Sequence, residues 1–144
     1  MSSNTKLICF LICAAISYSC EIPKDSRDSW EHAYQNGLEV GIVENPPFVT
    51  IHEDSVAGTE LEMIRDFAMK EGLQLKLVSG SETALVEKLH QAELQLLIGG
   101  FDKKTLWEEK AGLSIPYDQD DHVILIPKGE NKLLYRLESF IKSR

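Results

Sequence analysis

The stretch VGIVENPPFV, residues 40–49, is an apolar run that ends in two prolines and a phenylalanine. Its first half has the composition of a buried β-strand. Pro46 and Pro47 lack a backbone N–H and have a fixed φ, so they cannot continue a central strand. The sequence therefore predicts a strand over residues 38–43 that is followed directly by a stiff, partly apolar corner.

Beyond this corner the hydrophobic periodicity alternates between helix and strand. It predicts three more strands, at 73–78, 94–98 and 122–127, of which the first suits a sheet edge and the second a central position. A helix is expected over 28–36, with Trp30 and Tyr34 buried, and further helices begin near residues 59, 81, 105 and 131. Strands separated by helices of this length predict an α/β fold with a mainly parallel sheet of about four strands, flanked by helices.

Three of the predicted helix starts carry capping signals. Thr59 and Glu62 form a capping-box pattern, in which the glutamate reaches back to the N-terminal backbone. Glu60, between them, is placed to interact favourably with the helix dipole. Ser81 and Asn131 are the expected N-caps of two later helices.

Two loops are predicted to lie side by side, because the carboxyl ends of parallel strands share one edge of a sheet. The corner Asn45–Phe48 follows the first strand, and the segment from Gly99 to Asp102 follows the third. Glycine lets the backbone approach a ligand closely, and Phe48 and Phe101 can supply apolar walls. The alternative is a rigid turn at the prolines and a pair of glycines that merely ends the strand.

The N-terminal residues have the pattern of an export signal. Lys6 precedes the apolar run 7–16, which is too short to span a membrane stably, and small residues follow it. Cys20 closes this segment in a position that resembles the lipidation site of bacterial lipoproteins, although Ser17 and Ser19 depart from that pattern. We expect a signal peptide at 1–20 with Cys20 as the lipidation site; the alternative is simple secretion with a free thiol.

The remaining chain is expected to comprise a polar tether over 21–29, the short helix that ends at residue 36, and one domain over 38–144, so that 21–37 precedes the domain. No cysteine follows Cys20, so this domain cannot contain an internal disulfide. The formal net charge is −8, and removal of 1–20 would make it −9, because only Lys6 is charged there. This acidity argues against nucleic acid as a partner.

Catalytic and metal-binding patterns have little support in the sequence. Glu60 and Glu62 are two residues apart, so they do not share a helix face as a general acid/base pair would. Ser114 lacks a G-x-S-x-G context. The four histidines have no metal-ligand spacing. His90 is expected at the end of a helix, and the others are interpreted as ordinary polar positions: His32, His52 and His122. We therefore expect no catalytic residue, no metal and no cofactor.

Four blocks in order and in register resemble a known family. LEVGIVENPPFV, GTELEMIRDFAMKEGLQLKLV, LVEKLHQAELQLLIGG and LSIPY, within residues 38–117, are similar to the first lobe of the family 3 extracellular solute-binding proteins. These are the binding components of polar amino-acid uptake systems, which are ABC transporters. The resemblance implies a periplasmic-binding-protein-like lobe, with the proline corner lining a ligand cleft, the 58–62 pattern opening the next helix, and Pro116-Tyr117 leading into a hinge.

The sequence departs from the family pattern in three places. The family has two lobes that close on a ligand, whereas only a strand and a helix follow Tyr117 here. Where the family has a threonine and an arginine that grips the α-carboxylate of an amino acid, this chain has Lys104 and Trp107. The aspartate that usually starts the third strand is Gln95.

These features together predict an exported, single-lobe, solute-binding-like protein of transporter type. It would bind a small polar solute such as an amino acid, and one lobe alone would bind it weakly. Otherwise a transporter or receptor subunit in the membrane, or a second copy in a dimer, would complete the site. The expected ligand-binding residues are Asn45, Pro46, Pro47, Phe48, Glu60, Gly99, Gly100, Phe101, Asp102, Lys104 and Trp107.

Two alternatives stay open. The same lobe could be a docking protein that binds no solute, with Trp107 as an anchor, unless that ring only packs its short helix onto the sheet. It could also be an accessory domain of a cell-envelope enzyme system, because some periplasmic dehydratases and lytic transglycosylases carry domains that resemble it.

Overall fold

The computed structural model describes residues 25–144. Its helices are α1 (Ser29–Asn36), α2 (Thr59–Glu71), α3 (Glu82–His90) and α4 (Asn131–Lys142), with a 3₁₀ helix at Leu106–Glu109. Its strands are β1 (Leu38–Ile42), β2 (Thr50–Ile51), β3 (Val56–Ala57), β4 (Leu75–Ser79), β5 (Leu96–Asp102), β6 (Gly112–Leu113) and β7 (His122–Ile126). The predicted α/β class is confirmed.

Five strands form the main sheet in the order β4-β1-β5-β7-β6, while β2 and β3 form a separate hairpin. β4, β1 and β5 are parallel. β7 runs antiparallel to both β5 and β6, so four of the five strands point in one direction. The sheet is therefore mostly parallel, with β4 at an edge and β5 in the centre as predicted.

Both faces of the sheet are covered, which explains the nearly continuous apolar runs of β5 and β7. Leu96 and Ile98 of β5 face a core that is filled by side chains of α1, α2 and α4. Leu97, between them, points to the other face and packs with side chains of α3. In the first core Phe67 and Phe140 join α2 to α4, with ring centroids 5.5 Å apart.

The starts of α1 and α4 are joined by two buried carboxylates. Glu130 accepts hydrogen bonds from the hydroxyl of Ser26 (2.9 Å) and the backbone N–H groups of Arg27 (2.9 Å) and Ser29 (2.8 Å). In return, the carboxylate of Asp25 accepts the backbone N–H of Lys132 in the first turn of α4 (2.7 Å). Residues 25–29 of the expected tether are thus hydrogen-bonded to the domain.

Several local expectations need correction. The N-cap of α2 is Gly58 and that of α4 is Glu130, so the predicted caps Thr59 and Asn131 are wrong. Ser81 is confirmed, since its hydroxyl accepts the N–H of Ala84 at 3.4 Å. β5 continues through the two glycines to Asp102 and stays paired with β7 across a shift of register between Leu97 and Phe101. Tyr34 is 70% exposed, because Trp30 and Ala33 fill the inward face of the short α1.

The expected signal peptide at 1–20, the lipidation site at Cys20 and the first part of the tether lie outside the described residues. From residue 25 onward, none of the helices combines the length and the apolar character that a membrane crossing requires.

Candidate ligand-binding rim

The proline corner and the double glycine meet at one end of the sheet, as predicted. The side-chain amide of Asn45 donates to the carbonyl oxygen of Gly99 at 2.9 Å. Gly100 has a φ of +70°, and a Cβ there would lie 2.4 Å from Cδ2 of Phe48 and 2.7 Å from Nδ2 of Asn45. Only glycine fits this position without displacing the corner. We call this surface the rim, and define it as residues 45–48, 99–102 and 117–122.

The corner is fixed by the start of α2. Backbone N–H groups of Thr59 and Glu60 donate to the carbonyl oxygens of Pro47 (3.0 Å) and Phe48 (3.1 Å). Helix N-termini have N–H groups without intrahelical partners, and here the corner supplies the acceptors. This explains why Thr59 does not act as a cap. The side chain of Glu62 does not reach back either, and instead lies exposed, 3.7 Å from Arg65.

Glu60 joins three parts of the rim through one buried carboxylate. Glu60 is buried, with 1% of its surface exposed. One oxygen, Oε2, accepts the backbone N–H groups of Gly99 (2.7 Å) and Gly100 (2.9 Å), and the other, Oε1, accepts the hydroxyl of Tyr117 (2.5 Å). The carboxylate predicted to contact a ligand therefore has internal partners for both oxygens. Its partners lie 39 to 57 residues away, so no local pattern could identify them.

The protonation of this pair follows from its surroundings. Burial raises the pKa of Glu60, although the hydrogen bonds from Tyr117, Gly100 and Gly99 and the nearby His122 act in the opposite direction. Burial and the adjacent Glu60 raise the pKa of Tyr117, so its hydroxyl stays protonated and remains a donor. The pair thus holds the middle of the β6–β7 loop against the start of α2.

Three rings form the half-buried surface of the rim. The ring of His122 lies 4.5 Å from that of Phe48 and 6.0 Å from that of Tyr117, measured between centroids. Nδ1 of His122 is 2.7 Å from Oδ2 of Asp118. Burial acts to raise the pKa of Asp118, but its hydrogen bonds with the backbone and ring of His122 and with the N–H of Asp120 outweigh burial and lower it.

Sequence reasoning missed His122 and Asp118. His122 was interpreted as an ordinary polar position at the start of a strand. The signal that could have found it is its place opposite Asp102 in the β5–β7 pairing, which puts it beside the double glycine. That register depends on β7 being antiparallel to β5, and hydrophobic periodicity carries no information on strand direction.

The remaining predicted site residues lie on the segment after the double glycine. Phe101 is 7% exposed and packs in the core beside α3 rather than on the rim surface. Asp102 is exposed and accepts the backbone N–H of Lys104, also exposed, at 2.6 Å. Trp107 packs against the same core, and its indole N–H donates to Glu82 at 2.6 Å. Trp107 therefore packs its short helix against the core, as the alternative to a docking anchor predicts.

Within residues 25–144, no three or more histidine, cysteine, aspartate or glutamate side chains form a group that could hold a metal ion. The rim offers rings, exposed carboxylates and two side-chain amides, those of Asn45 and Gln119, which suit noncovalent contacts with a small solute.

The fold and the rim define an α/β lobe of the solute-binding type, and comparison with known proteins gives its family. The family model of the bacterial extracellular solute-binding proteins, family 3, matches residues 38–141. The chain belongs to this family. Comparison with curated proteins found no match.

Solved structures share the fold at low sequence identity. Domain 1 of TmArgBP, in its arginine-bound form, has a TM-score of 0.69 and 21% identity, and the match covers 80% of this chain and 96% of that one. A Salmonella typhimurium periplasmic binding protein with high arginine specificity has a TM-score of 0.65 and 10% identity, covering 74% and 92% of the two chains. A substrate-binding protein of an amino acid ABC transporter has a TM-score of 0.65 and 11% identity, with the same coverages.

Proposed function

We propose that this protein is an extracytoplasmic solute-binding lobe of transporter type that binds a small polar solute at the rim. The observation that carries this proposal is the rim itself, where three half-buried rings and exposed polar groups lie at the carboxyl end of the parallel strands. In open α/β sheets this is the end at which ligands bind. Membership of the family and the likeness to amino-acid-binding lobes support the same role.

Binding is proposed to be weak or assisted by a partner. High affinity for a small polar ligand requires burial of most of its surface, and a single lobe covers one side of it. Fewer contacts must then offset the same loss of translational and rotational freedom. A transporter or receptor subunit in the membrane, or a second copy of this chain, would supply the other side.

The proposal places the protein outside the cytoplasm and gives it no catalytic activity. Export follows from the family and from the signal-like residues 1–20, with Cys20 as the lipid anchor. The proposed lack of catalysis is supported by the family, which consists of solute-binding proteins. Glu60, the buried carboxylate at the rim, has both oxygens engaged in hydrogen bonds inside the protein and is not proposed as a catalytic group.

Thermal unfolding of the purified protein with a panel of solutes tests the proposal. The panel holds amino acids, small carboxylic acids and small amines at millimolar concentration. A solute present at ten times its Kd stabilises the folded state by about 1.4 kcal/mol, which raises Tm by several degrees. We expect this shift with at least one member, and its loss in Phe48→Leu but not in Tyr34→Leu, whose ring is exposed on α1. A panel without any shift contradicts direct solute binding.

A further inference from the structure

Carboxylates of the chain itself hold several backbone donors at and next to the rim. Glu60 takes the N–H groups of Gly99 and Gly100. Asp118 takes those of Asp120 and His122, both at 3.1 Å, and Asp102 takes that of Lys104. These N–H groups are the kind that hold a ligand carboxylate. Three internal carboxylates therefore occupy five donors that an anionic ligand would otherwise use.

Cationic side chains near the rim offer little to an anion. No arginine lies between residues 101 and 113. Lys103 forms an ion pair with Asp121, with Nζ 2.6 Å from Oδ2. Lys104 is exposed, and an exposed lysine is a hydrated point charge that contributes little binding energy. Trp107 packs against the core instead of presenting a polar group to a ligand.

The same surface is favourable for a cation. The faces of phenylalanine and tyrosine rings attract ammonium and guanidinium groups, and Phe48 and Tyr117 present such rings next to His122. Asp118 contacts the ring of His122, and Asp102 is the strand partner of that residue. Both aspartates are exposed, so rings and negative charge lie next to each other at one end of the sheet.

We infer that the rim selects a small organic cation that carries no carboxylate, such as an alkylamine or an alkylguanidine. The inference rests on the proposed function and narrows its solute class. Carboxylate-bearing amino acids are disfavoured, because their negative group would face the exposed carboxylates of Asp102 and Asp118, with no arginine on residues 101–113 to hold it. The cationic end would lie over the rings, beside the carboxylates.

Agmatine and arginine test this inference directly, since they share the guanidinium group and differ by one carboxylate. Binding of each to the purified protein is measured by calorimetry at fixed ionic strength, with succinate as the anionic probe. We expect a Kd for agmatine at least about tenfold lower than that for arginine, because like charges oppose binding. Succinate should not bind. Arginine or succinate binding as tightly as agmatine overturns the inference and leaves the proposed function intact.

The absence of binding by these three and by the whole solute panel overturns both the inference and the proposed function.

Where agmatine binds, variants locate the site. Asp102→Asn and Asp118→Asn should each weaken agmatine binding by about two- to fivefold, the range expected for exposed charge pairs. Asp66→Asn, on the exposed face of α2, is the matched control and should leave the Kd unchanged. If both rim variants keep the wild-type Kd while remaining folded, the inference is wrong.

Discussion

Gly100 shows how one residue shapes the rim. Its φ of +70° is nearly the same as that of Gly72, which ends α2 with a φ of +69°. The two sites differ in their surroundings: a Cβ at Gly100 would contact Phe48 and Asn45 closely, whereas a Cβ at Gly72 would have no heavy atom within 4 Å. The pair therefore separates the cost of backbone conformation from the cost of a steric clash.

Alanine substitutions at these two glycines give the first prediction. Gly72→Ala should lower the free energy of unfolding by about 1 kcal/mol, the cost of a left-handed conformation for an L-residue. Gly100→Ala should cost about 1–3 kcal/mol more, because the corner must shift to make room. Urea denaturation measures both. Equal losses would mean that Phe48 and Asn45 move aside without cost.

Glu60 gives a second prediction, on pH. Its pKa in the folded protein is raised above its ordinary value of 4.5, chiefly by burial. Above pH 4.5 the unfolded chain therefore loses this proton before the folded protein does, and the free energy of unfolding falls as the pH rises through the folded pKa. Glu60→Gln keeps the shape and an acceptor oxygen but cannot ionise, so it should not show this part of the fall.

Urea denaturation of both proteins between pH 4 and 8 checks this sign, because every other titratable group is common to them. The stability of Glu60→Gln relative to wild type should rise with pH. Glu62→Gln, which removes an exposed carboxylate from the same turn of α2, is the control and should follow the wild-type curve. If the difference in the free energy of unfolding between wild type and Glu60→Gln does not change with pH, Glu60 is not a buried carboxyl group with a raised pKa.

At the scale of elements, α1 and α4 depend on each other for their starts. Glu130 caps the segment that leads into α1, and Asp25 caps α4. Each carboxylate satisfies N–H groups that a helix cannot satisfy internally. The contacts join residues more than 100 positions apart, so they hold the two ends of the described chain together.

The third prediction separates this arrangement from local capping. Glu130→Ala should cost about 2–4 kcal/mol, because the buried N–H of Ser29 and the partly buried N–H of Arg27 lose a charged acceptor. Asn131→Ala, at the residue that local pattern favours as the cap, should change stability by less than about 0.5 kcal/mol. Urea denaturation gives both values, and hydrogen exchange of the Ser29 amide should accelerate only in Glu130→Ala. Similar losses in the two variants would contradict the inter-helix cap.

Local sequence signals were sufficient where the partners are local. Ser81 caps α3 as predicted, since its partner is three residues away. The signal at Thr59 failed because Pro47 and Phe48, twelve residues earlier, supply the acceptors for the start of α2. Capping by Glu130 could not be predicted either, since its partners lie in a segment whose polar composition is typical of a tether.

The elements and their arrangement followed from periodicity, whereas the chemistry of the rim did not. The apolar runs predicted parallel strands, and this put the corner and the double glycine at the same end of the sheet, where they meet. That β1 and β5 are direct neighbours was not predicted. The same runs could not show that β7 is antiparallel, which is what brings His122 to the rim. The role of Glu60 depends on the fold being complete, because Tyr117 reaches it from a different loop.

At the scale of the whole molecule, the rim and the N-terminal segment lie at opposite ends of the sheet. β7 starts beside Asp102 at the rim and runs antiparallel to β5, so the residues that follow it lie at the far end. There Glu130 and Lys132 bind residues 25–29. The side chain of Arg27 also donates to the carbonyl oxygen of His90, which precedes β5 at this end.

The last prediction concerns orientation on a membrane, and rests on the proposed anchor at Cys20. Five residue steps separate Cys20 from Asp25, a span of at most about 18 Å. The anchor therefore holds the far end of the sheet near the bilayer with the rim pointing away, where only the part of a transporter subunit that projects beyond the bilayer could cover it. In the lipid-anchored protein, a fluorophore on Lys128→Cys should be quenched by lipid-borne quenchers, and one on Asp102→Cys should not. Equal quenching of the two fluorophores would contradict this orientation. Strong quenching of Asp102→Cys alone would place the rim against the membrane, where a transporter subunit would meet it before free solute does.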